Sequence, residues 1–195
     1  MKRIGWTVLA VIVLMGLTGC RGLSGPRPIT NPAAPSVSVP LIPAPLDGAK
    51  FKADLCTAFS PEELRGLGFD PGEPSHSNRE TCTYSRTGVV VGASLNLRPP
   101  ANLRALYQDH AQGYATAGNH WEEVTVAGYP AVIVDIQLDP TSQQVGGCKL
   151  ALGSDESTAI YLYFGTYGTM GAGPLPDPCG AVKKLAEVAI DRLRI

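Results

Sequence analysis

Five cysteines and three histidines are the side chains of this 195-residue chain best suited to covalent, redox or acid–base chemistry. Spacing divides the cysteines into two groups. Cys20 ends the run Leu17-Thr18-Gly19-Cys20, directly after an apolar stretch, while Cys56, Cys82, Cys148 and Cys179 are spread over the remainder. A cysteine in the first setting suits acylation, because its thiolate is the best nucleophile among the side chains. Cysteines in the second setting suit cross-linking.

The first twenty residues have the three zones of an export signal. Lys2 and Arg3 supply a positive start, and Val8 to Met15 form an apolar core too short to span a bilayer as a mature helix. Leu17-Thr18-Gly19 before Cys20 resembles the bacterial lipobox, in which the thiol receives a diacylglyceryl group before cleavage on its amino side. The expectation is a signal peptide over residues 1–19 and a membrane anchor at Cys20. Two acyl chains hold stably at about 0.8 kcal/mol per buried methylene, where one chain is marginal.

Assigning Cys20 to lipid leaves an even set of four cysteines in an exported chain, which predicts two disulfides. Of three possible pairings, nearest-neighbour bridging gives Cys56–Cys82 and Cys148–Cys179. Each closes a loop of about 30 residues and contributes roughly 3–4 kcal/mol in the chain-entropy account. A zinc site fits poorly, because no two cysteines have the short ligand spacing and the histidines are scattered. Removing Lys2 and Arg3 from 16 basic residues leaves 14 against 17 acidic ones, a balance of −3. That mild acidity argues against nucleic acid and against a polybasic membrane surface.

The remaining motifs point to no catalytic residue, cofactor or metal. Gly92-Ala93-Ser94-Leu95-Asn96 fails the last position of a nucleophile elbow. His120-Trp121-Glu122-Glu123 lacks the second histidine of a zinc protease helix, and the glycines from Gly165 to Gly173 match no phosphate-binding pattern. His76 falls in a polar loop and His110 on a helix. Tyr161, Tyr163 and Tyr167 alternate with Ile160, Leu162 and Phe164, so one sheet face is expected to be aliphatic and the other tyrosine-lined. Such a stripe offers a ligand-binding surface for sugars or peptides, since each ring joins apolar area to a hydroxyl.

These groups must be held by a fold. From Arg21 to Leu46, seven prolines leave no hydrophobic period, so residues 20–46 read as a lipidated cysteine and tether, reaching at most roughly 80 Å at about 3.1 Å per residue. Residues 47–195 read as a single disulfide-stabilised domain. Ser60-Pro61-Glu62-Glu63 carries capping signals for a short helix, limited by Gly66 and Gly68. Asn102 opens a second helix, and a third starts at Pro178 with Val182, Leu185, Ala186, Ala189, Ile190 and Leu193 on one face. Between them the period falls to two. Hairpins are predicted around Thr87-Gly88, Ala127-Gly128 and Ser154-Asp155-Glu156. The expected class is α+β, an antiparallel sheet of about six strands with helices packed on it.

Asp54-Leu55-Cys56, Cys82-Thr83-Tyr84, Val126-Ala127-Gly128-Tyr129-Pro130-Ala131, Gly147-Cys148 and Asp177-Pro178-Cys179 together resemble a known family. It is the group of actinobacterial cell-envelope lipoproteins catalogued as the domain of unknown function numbered 3558, with mycobacterial Lpr-type relatives. Here tyrosine stands where the family's Cys-Thr-Trp strand has tryptophan. The resemblance implies a lipoprotein on the outer face of the cytoplasmic membrane and carries over no catalytic residues. The central hairpin is also similar to the Mog1/PsbP-like α+β fold, which implies no function. The resulting expectation is a non-catalytic module, anchored to the membrane through Cys20, that binds an envelope protein or component. An envelope hydrolase using His76, His110 or His120, or a carrier of lipid or a small ligand, is the alternative.

Overall fold

The computed structural model describes residues 36–48, 50–51, 55–78, 81–86, 89–96, 102–114, 119–138, 145–166 and 177–194. The expected signal peptide, Cys20 and Tyr167 lie outside these residues, as does most of the glycine-rich stretch. Seven strands form one antiparallel sheet: β1 (Pro74–Asn78), β2 (Thr81–Arg86), β3 (Val89–Asn96), β4 (Glu122–Val126), β5 (Tyr129–Leu138), β6 (Val145–Gly153) and β7 (Ala159–Thr166). Their spatial order is β1-β2-β3-β7-β6-β5-β4. Three helices pack on the sheet: α1 (Pro61–Gly66), α2 (Leu103–Ala111) and α3 (Pro178–Leu193). The class is therefore α+β, with one strand more than the six expected. The added strand is β1, whose Pro-Ser-His-Ser-Asn sequence has no apolar alternation to announce it.

Local chemistry sets the helix ends. Ser60 and Glu63 form a reciprocal capping box, with Ser60 Oγ accepting from Glu63 N at 3.2 Å and Glu63 Oε2 accepting from Ser60 N at 2.6 Å. Asn102 and Asp177 cap α2 and α3 through their side-chain oxygens, and proline occupies the first position of α3. The last carbonyls of α3 are met by Lys50 Nζ, which donates to Arg192 O and Arg194 O, and by Asp47 N, which donates to Leu193 O. The β4–β5 hairpin turns at Ala127 and Gly128, both at positive φ, as a two-residue turn of primed type requires.

The sheet separates two layers of core. One face carries Cys82, Tyr84, Val91, Ile133, Leu150, Leu162 and Phe164, packed against α1, α3, Phe59 and Phe69. On the other, Val132, Val134 and Ala151 meet Leu103, Leu106 and Tyr107 of α2. Because both faces are covered there, Ala131, Val132, Ile133 and Val134 are buried in succession without alternation. Val37 and Val39 pack on the second layer, and Ile42 and Leu46 on the first. The end of the proline-rich stretch thus lies on the domain. Among the described residues no helix is long and apolar enough to cross a membrane.

Arg192 ties α3 to α1. Its guanidinium donates to Thr57 O at 2.6 Å and to Glu63 Oε2 at 2.7 Å. Burial works to raise the pKa of Glu63, but the hydrogen bonds from Ser60 and the charge of Arg192 outweigh it and hold the pKa below the ordinary 4.5. A depressed carboxylate stabilises the fold fully above its unfolded value and loses that contribution as pH falls through its folded value. Glu63→Gln keeps the cap and removes the charge. Urea melts taken downward from neutral pH through 4.5 should show a deficit of at most about 1 kcal/mol at neutrality, closing on the acid side. A deficit that persists unchanged in acid would contradict this.

Candidate functional site

The four cysteines beyond Cys20 form the two expected bridges. Cys56 joins Cys82 with Cα atoms 5.2 Å apart, and Cys148 joins Cys179 at 5.1 Å. The first bridge ties the short 3₁₀ turn Leu55–Thr57 to β2, and the second ties β6 to the first turn of α3. Cys82 and Cys148 are fully buried.

The histidines are placed apart. His110, on the exposed side of α2, stacks on Trp121 with ring centroids 3.9 Å apart and planes 5° from parallel. Tyr107 meets the same indole edge-on at 4.9 Å. Burial first, and the Glu123 carboxylate second, push the Tyr107 phenol well above its ordinary pKa of 10. His120 Nε2 lies 3.7 Å from Glu122 Oε2, and Lys183 Nζ is 3.5 Å from the same carboxylate. Among the described residues neither of these histidines hydrogen-bonds a serine. The side chain of His76 lies outside the description, although its backbone pairs with Cys82 in β1–β2.

Along β7 the alternation holds as far as it can be followed. Ile160, Leu162 and Phe164 enter the core below α3, while Tyr161 and Tyr163 lie half-buried on the opposite face. Tyr161 packs against the α2 layer with Lys149 Nζ 5.1 Å from its ring centre. Tyr163 lies across two glycines: a Cβ at Gly147 or Gly165 would stand 2.7 or 2.5 Å from its Oη. Its hydroxyl donates to Thr166 O at 3.1 Å. Both rings are thus engaged with the domain's own strands.

A concave site lies elsewhere, at the sheet edge beside α1. An open cleft of about 480 Å³ is lined by Cys56, Phe59, Pro61, Arg65, Pro71, Gly72, Glu73, Pro74, Tyr84 and Arg86. Tyr84, buried among the lining residues, shares its one hydroxyl proton between the carbonyls of Cys56 and Phe59, the latter at 3.1 Å. At its mouth Asp70 accepts from Arg65 Nε at 3.1 Å through one oxygen and from Arg86 Nη1 through the other. Gly72 presses against β2, where a Cβ would stand 2.6 Å from Ser85 O. The group has no continuous sequence signature, because its members come from α1, the 70–74 segment and β2. The one available signal was the period-two series Cys82, Tyr84, Arg86, which places all three on one face of β2.

A family model described as "Protein of unknown function (DUF3558)" matches residues 15–192. No curated protein and no solved structure matches the chain.

Proposed function

Given that the chain belongs to the DUF3558 family, we propose that it is a lipid-anchored, extracytoplasmic binding module of actinobacterial type. In this reading it sits on the outer face of the cytoplasmic membrane and recognises an envelope protein or component without catalysing a reaction. The observation that carries it is the cysteine pairing. Two bridges engage Cys56, Cys82, Cys148 and Cys179, which suits an oxidising compartment and sets Cys20 apart. The matched region begins at residue 15 and so includes the run ending at Cys20. Acylation there explains a thiol that follows an apolar stretch and precedes a proline-rich segment.

Mass spectrometry of the amino-terminal peptide tests the anchor. The full chain, expressed in an actinobacterial host, is expected to carry diacylglycerol on Cys20 and to sediment with membranes. Cys20→Ser should lose the modification and leave the membrane fraction almost completely, since acyl burial supplies the attachment. An unmodified Cys20 thiol in the wild-type protein would overturn the reading. Cross-linking in intact cells addresses the binding half: recurrent neighbours at one surface support it, and none at any surface counts against it.

A further inference from the structure

We propose that the cleft between α1, the 70–74 segment and β2 binds a small monocarboxylate with an apolar body. This deepens the binding-module reading by naming the chemistry of a ligand. The volume of about 480 Å³ is in the range of small-molecule sites. Phe59, Pro61, Pro71 and Pro74 give it apolar walls. The Tyr84 hydroxyl already serves the carbonyls of Cys56 and Phe59, so polar recognition falls to the rim.

There Asp70 holds two guanidiniums in place using Nε of Arg65 and one Nη of Arg86. Their other N–H groups have no partner among the described residues. Both side chains remain more than half exposed, at 56% and 54%, and guanidinium edges match carboxylate oxygens in pairs. Glu73 also lines the cleft. With Asp70 it balances the two arginines, so the rim offers directed donors without a net positive field. Recognition of an anion there rests on directed hydrogen bonds to one carboxylate, and a polyanion gains no net attraction. The close approach of Gly72 to Ser85 O sets one wall of the cleft directly against β2.

The test is fluorine NMR on the full chain in lipid nanodiscs, with para-fluorophenylpropionate as probe and its primary amide as control. The acid should broaden saturably, and the amide should bind about tenfold more weakly or worse, having lost the charge-assisted bonds. The R65Q/R86Q variant should weaken the acid by a similar factor and leave the amide unchanged. Equal binding of acid and amide, binding of neither, or an unaltered acid affinity in the variant would each overturn the proposal. Should the variant fail to fold, the acid–amide comparison on the unsubstituted chain still decides. A silent cleft leaves the anchor intact, because that falls only with an unmodified Cys20.

Discussion

The C148A/C179A double variant is expected to lose about 3–4 kcal/mol of stability, because its bridge closes a loop of 31 residues. Against the 5–15 kcal/mol typical of a folded domain this is a large share. In a domain of this size it corresponds to a melting temperature lower by roughly 10 °C. The effect has two sources. The unfolded chain regains the freedom that the cross-link removes, and α3 loses its covalent hold on β6 at the end where Asp177 caps it. Alanine is the right replacement, since Cys148 is fully buried and a serine hydroxyl there would add a desolvation cost of its own. Thermal melts without reductant check the value. A shift of less than about 2 °C would mean that α3 is held by packing alone.

Gly165→Ala is expected to destabilise by about 2–3 kcal/mol, at the upper end of the usual cost of overpacking. The sign is the informative part. In most strand interiors glycine is the weaker residue, and alanine would gain roughly 0.5–1 kcal/mol from the reduced entropy of the unfolded chain. Here the new methyl would stand 2.5 Å from Tyr163 Oη and 2.6 Å from Gly147 Cα. The ring can rotate away only by giving up its bond to Thr166 O, and the β6 backbone has no such freedom. Urea unfolding of G165A, Y163A and the double variant separates the two clashes. If the ring is the main obstacle, the double variant will be more stable than the sum of the single losses predicts. A stabilised G165A would contradict the close packing itself.

Features with a local physical signature were legible from the residues alone. The third helix was, because Val182, Leu185, Ala186, Ala189, Ile190 and Leu193 keep a helical period and all are fully buried. The bridges were, because setting aside Cys20 left an even number and each partner lay nearest in sequence. β1 was not, since its polar residues belong to a strand only through pairing with β2. Nor was the docking of Val37 and Val39, whose apolar side chains are interspersed with serines and prolines and join the cluster built by α2, β5 and β6. The cleft was hidden for a similar reason. Arg65, Asp70 and Arg86 carry no motif, and only the fold brings their charged ends together.

The tyrosine stripe marks a boundary between pattern and use. Alternation correctly separated Tyr161 and Tyr163 from the aliphatic face of β7. Period alone says nothing about what lies above a face, and here Lys149, the α2 layer and two glycines accommodate the rings.

The outer strands have a consequence for solubility at high local concentration, as on a crowded surface. An open sheet ends in two rows of backbone groups that a second chain can extend, the usual start of edge-to-edge aggregation. β1 opens on a proline and breaks register between His76 and Asn78, so it offers a short and irregular template. β4 carries the exposed pair Glu122 and Glu123, and a like strand laid beside it brings carboxylates together. Both borders are thereby made poor partners for their own kind, and an unclosed sheet remains a finite one.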